Sequence, residues 1–143
     1  MADELTHEIE FLDFEDVCEI HDRALDEFGE GTPGFLDEHS VRSAAGQPAA
    51  GAFGKFFHSF PAGMAAAYLY YLTNQQGFLN GNKRTAVGSA IEFLARNGYR
   101  LDVTNLELYR VTVGVAGEDA EGSSRAILEA LTEWIERHLT PLP

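Results

Sequence analysis

Residues 76–85 of the chain read Gln76-Gly77-Phe78-Leu79-Asn80-Gly81-Asn82-Lys83-Arg84-Thr85. Apolar residues at helical spacing lie on both sides, so we expect a turn between two helices, the second beginning near Lys83. A helix N-terminus carries free N–H donors and a partial positive charge, which Lys83 and Arg84 oppose. An anion bound on the turn would reverse the sign of that effect, so the stretch predicts a phosphate site. The simpler alternative is two solvated cations beside a neighbouring carboxylate.

The turn matches no other phosphate-binding or catalytic motif that we searched for. Gly77 and Gly81 lack the Walker spacing to a Gly-Lys-Thr, and no strand precedes them. The chain contains no His-Glu-x-x-His and no Gly-x-Ser-x-Gly. P-loop, Rossmann, zinc-protease and nucleophile-elbow chemistry are therefore not indicated.

Outward from the turn, the apolar spacing predicts about six helices and no confident strand, which is an all-α fold. We expect helices over 14–28, from Asp37 or Ser40 to about 45, over 61–72 and over 83–97, with two more capped by Thr104 and by Ser123 or Ser124. Gly29 ends the first helix, and the polar residues 73–76 form a loop after the third. Cys18 and Trp134 are predicted as core residues.

Residues 46–60 fit neither a helix nor a good strand. They contain three glycines, a proline and four phenylalanines. We interpret them as a loop or flap with a small β tendency. Its aromatic side chains either contact a substrate or partner, or fill the core beneath the loop.

The length and composition indicate one globular domain. The chain has 143 residues, of which 45% are hydrophobic and one is cysteine. One cysteine excludes an internal disulfide and a thiolate zinc site. There is no apolar run long enough for a membrane span, and the acidic N-terminus does not fit a signal peptide. We therefore expect a cytoplasmic protein that does not bind a membrane.

The net charge of −13 is concentrated at the front of the chain. Residues 1–40 hold 14 acidic side chains and one Lys or Arg, Arg23. This distribution argues against nucleic acid as a partner, because phosphate binding needs a basic face. The acidic front is either a solvated surface or a docking surface for a basic partner. We divide the chain into an acidic extension, residues 1–13, and a domain over residues 14–140.

The turn resembles the Fic motif in the death-on-curing (Doc) toxin branch, roughly His-x-Phe-x-Asp-(Gly/Ala)-Asn-Lys-Arg. The matching positions are Phe78, Gly81, Asn82, Lys83, Arg84 and Thr85. Ile20-His21-Asp22, Gly34-Phe35-Leu36 and Phe93-Leu94-x-x-Asn97-Gly98 also look like family features. The resemblance covers about residues 17–139 and implies a compact helical Fic fold with the motif at its centre.

The resemblance also implies a function. Family members bind ATP or a related nucleotide with Mg²⁺, and most transfer a nucleotidyl group to a hydroxyl of a target protein. Doc-like toxins instead phosphorylate elongation factor Tu and are held in check by a cognate antitoxin. By this resemblance, Gly81, Asn82, Lys83 and Arg84 bind the phosphates.

The departures from the motif occur at the positions that carry out the chemistry in the family. The family histidine, a general base, aligns with Gln76, and the family acid, a Mg²⁺ ligand, aligns with Asn80. Asn74 and Gly77 also differ from the usual residues. Glutamine cannot accept a proton near neutral pH, and asparagine offers Mg²⁺ an oxygen without a charge, so Mg²⁺ binding is doubtful and we assign no metal ligand.

Several explanations remain open. The chain is a pseudoenzyme that binds nucleotide or a partner with weak or no transfer, or an active transferase whose base is displaced to His21 or His58. Deliberate inactivation of a toxic protein is a third explanation, against which four departures argue. A protein-interaction module with an empty cleft, which binds an antitoxin or another protein, is the alternative from another functional class.

Overall fold

The computed structural model describes residues 8–29, 31–116 and 122–143. These residues form six α-helices, and the predicted all-α fold is confirmed. In chain order the elements are α1 (Phe14–Phe28), α2 (Glu38–Gly46), a 3₁₀ turn (Gln47–Ala49), β1 (Gly51–Ala52), β2 (Lys55–Phe56), α3 (Ala62–Gln75), α4 (Asn82–Arg96), β3 (Tyr99–Leu101), α5 (Asn105–Ala116), α6 (Ser124–His138) and β4 (Leu139–Pro141).

Helix α3 is the centre of the core and packs against α2, α4, α5 and α6. Every residue from Ala62 to Leu69 is buried. A helix that is apolar on all sides belongs inside a protein, and the alanines of α3 let its neighbours approach closely. Tyr68 and Phe93 of α4 are fully buried, with ring centroids 5.2 Å apart. The turn that follows α3 is therefore attached to the least mobile part of the fold.

The predicted loop over residues 73–76 is wrong, because α3 continues to Gln75. Thr73 is buried, and the Asn74 side chain donates a 2.9 Å hydrogen bond to the Tyr70 carbonyl. Burial and this side-chain bond outweigh the polar composition on which the prediction rested. Only Gln76 leaves the helix, in a left-handed conformation.

Local capping sets the ends of several helices, and of the caps that follow only Asp13 is not predicted from the sequence. Asp13 forms a capping box with Asp16 at the start of α1, and Gly29 ends α1 in the left-handed region. Asp37, rather than Ser40, caps α2. The predicted caps of α5 (Thr104 with Glu107) and α6 (Ser123) are also present.

The predicted flap contains the 3₁₀ turn and a two-residue antiparallel hairpin, which pairs Gly51 with Phe56. Phe53 and Gly54 both have positive φ, as in the tight turn that favours a hairpin. All four phenylalanines are exposed, so the interpretation that they fill the core beneath the loop is wrong, and contact with a substrate or partner stays a prediction. Phe56 and Phe60 contact rings of the bundle, while Phe53 and Phe57 are 103% and 67% exposed.

Strand β3 pairs antiparallel with β4, so that Tyr99 faces Pro141. The sequence predicts no such pair, because each strand has only three residues and the pairing is remote in the chain. Cys18 and Trp134 are partly exposed and pack at the edge of the core, which corrects their assignment to its interior.

Residues 8–13, the described part of the predicted extension, pack on the bundle. Leu12 is buried, and its N–H donates a 2.8 Å hydrogen bond to the Tyr68 hydroxyl. Residues 1–7 of the extension, and the Phe28 and Val115 side chains that the pattern places on apolar stripes, lie outside the described part of the chain. In that part, no helix is long and apolar enough to cross a membrane.

Candidate functional site

The turn between α3 and α4 has a backbone that its sequence explains. Gln76 and Gly81 have φ values of 49° and 80°, both left-handed. Gly77 lies against α2, where an added Cβ would stand 2.4 Å from Val41 Cγ2, so no larger residue fits without a shift. The turn is thus closely packed at one end and sharply bent at both.

Backbone hydrogen bonds fasten the turn to residues 34–37. The N–H groups of Leu36 and Asp37 donate to the Gly77 carbonyl, at 2.8 and 2.9 Å. The Leu79 N–H donates to the Gly34 carbonyl at 3.1 Å. Sequence reasoning missed this support, since the two segments are 40 residues apart in the chain and neither carries a pairing signal.

Asn82 braces the turn from inside. Its side-chain oxygen accepts from the Phe78 N–H at 3.0 Å, and its side-chain nitrogen donates to the Phe78 carbonyl at 2.9 Å. The side chain is therefore engaged with the turn itself, and the group it can offer an anion is its backbone N–H.

His21 of α1 supports the turn from the other side. It is 2% exposed, and its ring stacks on Phe78 with centroids 3.8 Å apart and planes 6° apart. Its Nε2 lies 2.8 Å from the Asn80 carbonyl oxygen, which can only accept, so Nε2 donates. This nitrogen faces a backbone carbonyl and is not placed to take a proton from a substrate.

The turn lines a cavity of about 530 Å³. All six residues singled out from the sequence are in its wall: Gln76, Asn80, Gly81, Asn82, Lys83 and Arg84. The wall also includes Thr73 of α3 and Tyr109 of α5, which the sequence did not single out. The Arg84 guanidinium lies 6.0 Å from the centre of the Tyr109 ring. The volume is in the range of small-molecule sites.

Comparison with known proteins identifies the family. The model of the Fic/DOC family matches residues 11–94, from the segment before α1 to the end of α4, and includes the whole turn. The chain belongs to the Fic/Doc family. It is also similar to the protein kinase doc of Escherichia phage P1, with 33% identity over 113 residues, which cover 78% of this chain and 86% of that protein.

In this Fic/Doc chain the cavity presents donors and positive charge at the start of α4. Gly81, the N-cap residue, has no side chain to cap the helix, so the N–H groups of its first turn remain for an external acceptor. Lys83 and Arg84 stand at the same end. Such an arrangement suits an oxyanion.

The residues of the cavity do not fit Mg²⁺. Among its described lining residues there is no Asp or Glu, and Gln76 and Asn80 contribute neutral amides where the family pattern has a base and an acid. Mg²⁺ in nucleotide sites is usually held by one or two carboxylates together with phosphate oxygens. The described residues also contain no cluster of three His, Cys, Asp or Glu that could hold a metal ion.

His58, the other candidate for a displaced base, lies between the flap hairpin and α3. Its ring is half-buried with an edge-on contact to Tyr71 at 6.2 Å, and burial lowers the pKa of the imidazole. It is not among the residues that line the cavity. His21 bonds to a backbone carbonyl and His58 does not line the cavity, so neither is placed to act as a substitute base.

Proposed function

We propose that this Fic/Doc protein is a Doc-like toxin homologue that binds the phosphate groups of ATP or a related nucleotide at the 76–84 turn, with weak or no group transfer. The observation that carries the proposal is the cavity itself. Lys83, Arg84 and the uncapped start of α4 line the same wall as Gln76 and Asn80. Binding groups are kept there, while the groups needed for transfer are replaced.

The loss of transfer follows from the chemistry of two side chains. Gln76 can orient a hydroxyl but cannot take its proton, and losing a general base costs about 10²–10⁴ in rate. Asn80 lacks the charge with which a carboxylate would hold a bridging metal, and that metal neutralises much of the developing charge in phosphoryl transfer. The two losses act on the same step.

Family resemblance supplies the proposed context. A Doc-like homologue would have a cognate antitoxin as a partner, act in the cytoplasm, and descend from enzymes that modify a hydroxyl of a protein such as elongation factor Tu. The phage relative is named as a protein kinase. If some transfer persists in this chain, a phosphoryl or nucleotidyl group would move from ATP to such a hydroxyl.

Calorimetric titration with ATP tests the binding part of the proposal. Arg84→Ala should weaken binding about 10- to 100-fold, because a hydrogen bond to a charged group contributes about 1.5–3 kcal/mol. Lys83→Ala should act in the same direction. Arg125→Ala is the matched control, since Arg125 is exposed on α6 and does not line the cavity.

Two results would contradict the proposal. Unchanged affinity in both Arg84→Ala and Lys83→Ala would mean that ATP binds elsewhere. No binding of ATP by the unmodified chain would leave a protein-interaction module as the better description. Thermal unfolding of each variant, measured in parallel, separates loss of the site from loss of the fold.

A further inference from the structure

The segment before α1 is held to the bundle through its backbone. The Asn97 side chain, just after α4, accepts a hydrogen bond from the Glu10 N–H and donates one to the Glu10 carbonyl, both at 3.0 Å. The Tyr68 hydroxyl of α3 accepts from the Leu12 N–H at 2.8 Å and donates to the Leu12 carbonyl at 3.3 Å. Two side chains therefore bind alternate residues of this N-terminal arm, which we define as residues 9–12, in the way that a neighbouring strand would.

Between these two anchors, Phe11 joins the bundle to the flap. Its ring packs on Phe93 of α4 with centroids 5.8 Å apart, and on Phe56 of β2 with centroids 5.6 Å apart. Phe93 is fully buried, whereas Phe56 is 51% exposed. Phe11 is therefore an aromatic bridge from a fixed ring of the core to a ring at the surface.

The flap hairpin, residues 51–56, has little support of its own. Each of its strands has two residues, both exposed, and a lone two-stranded hairpin is at best marginally stable in water. The Phe57 N–H adds one backbone hydrogen bond, to the Ala50 carbonyl at 2.9 Å. In the described part of the chain, the aromatic ring that packs on the hairpin is that of Phe11. The order of the hairpin therefore depends on where the arm lies.

The arm can leave the bundle without uncapping α1. The Asp16 N–H donates to the Asp13 side chain at 2.8 Å, and the Asp13 N–H donates to the Asp16 side chain at 3.0 Å. These bonds involve no residue of the arm, so the start of α1 stays capped when the arm is released. The arm is held instead by its two backbone anchors and by the burial of Leu12. Segments near a chain terminus open more readily than the core of a fold.

We propose that the N-terminal arm is a strap that holds the flap hairpin in place, so that release of the arm frees the hairpin. Phe53 and Phe57 are the most exposed rings of the flap, and the docked arm fixes the hairpin that carries or adjoins them. The arm thereby governs the position of the apolar surface of the flap. The inference is separate from nucleotide binding, because neither the arm nor residues 51–57 line the cavity at the turn.

Cleavage by a lysine-specific protease tests the strap in the full chain, which has two lysines, Lys55 in β2 and Lys83 in α4. Cleavage of a folded protein requires opening, so the rate after each lysine reports how often that segment opens. We expect Phe11→Ala to raise the rate after Lys55, relative to that after Lys83, at least about threefold, as for the loss of an aromatic pair. Phe14→Ala is the matched control, because its ring is also partly buried but stacks on Phe35. This control should change the ratio by less than about twofold.

Tyr68→Phe tests the anchor while Phe11 is still present. It removes both hydrogen bonds to Leu12 and keeps the buried ring, so the cleavage ratio should rise here too. Tyr70→Phe is the matched control, because the Tyr70 hydroxyl lies 2.6 Å from the Ser124 hydroxyl and bonds to no residue of the arm. An unchanged ratio in either Phe11→Ala or Tyr68→Phe would overturn the strap. An equal rise in the control variants would overturn it as well, since a general loosening of the fold would then explain the cleavage.

Discussion

At the scale of single residues, His21 shows how one side chain acts through the backbone. The carbonyl and the N–H of a trans peptide point in opposite directions. By holding the Asn80 carbonyl at 2.8 Å, His21 also fixes the direction of the Gly81 N–H, at the start of the wall that α4 presents. We interpret His21 as a positioning residue of the proposed anion site.

Two single variants, each with a residue without a ring in place of His21, separate the effect of the hydrogen bond from the effect of the stacking on Phe78. His21→Leu should weaken ATP binding about tenfold, because the Asn80–Gly81 peptide loses its donor. His21→Gln retains an N–H that reaches for the carbonyl and should recover most of the affinity. Calorimetry on both variants is the measurement. Equal affinities in Leu and Gln variants would show that the hydrogen bond does not position the site.

Thr73 gives a second prediction at this scale, which concerns stability. Thr73→Val removes a buried hydroxyl without a partner, so the free energy of unfolding should rise by about 1 kcal/mol in urea. The control is Thr112→Val, because the buried Thr112 hydroxyl donates to the Leu108 carbonyl at 2.8 Å. A destabilised Thr73→Val protein would mean that the hydroxyl contributes a favourable interaction in the ligand-free state.

At the scale of elements, the sequence predicts the features that depend on neighbours in the chain. The capping residues Gly29, Asp37 and Thr104 act within a few positions, so their pattern is readable directly. The end of α3 cannot be predicted from its neighbours in the chain, because burial of Thr73 depends on helices elsewhere. The β3–β4 pair cannot be predicted locally either, because its two strands lie far apart in the chain.

The predicted site residues follow the same rule. The six residues over 76–84 are nearly contiguous, so their common cavity follows from one turn. His21, Thr73 and Tyr109 reach the site from α1, α3 and α5. Their positions depend on how those helices pack, and no local pattern in the sequence specifies that packing.

Helices α1 and α4 are joined by an ion pair whose pH dependence is testable. Arg96 donates to both carboxylate oxygens of Asp16, at 3.2 and 3.3 Å. Partial burial alone would raise the pKa of Asp16, but the Asp13 N–H and the Arg96 guanidinium outweigh it and hold the pKa below its ordinary value. Because its pKa is lower in the folded state, the ionised carboxylate stabilises the fold at pH values above the ordinary pKa of Asp. This stabilisation is lost as the pH falls through the folded-state pKa.

Asp16→Asn should therefore lower the free energy of unfolding by roughly 0.5–1 kcal/mol at pH 7, the range of a partly exposed ion pair. The difference from the unmodified protein should shrink steadily below about pH 4, the ordinary pKa of Asp, because the unfolded chain then takes up the proton before the folded one. Urea unfolding of both proteins between pH 3 and 7 measures this difference in the free energy of unfolding. A difference that stays constant over this range would show that the carboxylate charge does not stabilise the α1–α4 contact.

At the scale of the whole molecule, the fold supports the turn from several sides, and under the proposed function the groups that are replaced are those that would perform transfer. The core around α3 holds the turn, residues 34–37 and His21 fix its backbone, and the start of α4 presents its donors to the cavity. Gln76 and Asn80 sit in that wall without altering this support. Under the proposed function, the scaffold for binding is therefore separable from the chemistry of transfer.

We propose that this site binds nucleotide while transfer is impaired through Gln76 and Asn80. The most direct measurement compares label transfer from ATP to purified elongation factor Tu, with the label in the γ- or the α-phosphate, by the unmodified chain and by the Gln76→His, Asn80→Asp double variant with Mg²⁺. We expect little or no labelling by the unmodified chain and an increase of at least about 100-fold in the double variant. Robust labelling by the unmodified chain, equal to that of the double variant, would contradict the claim.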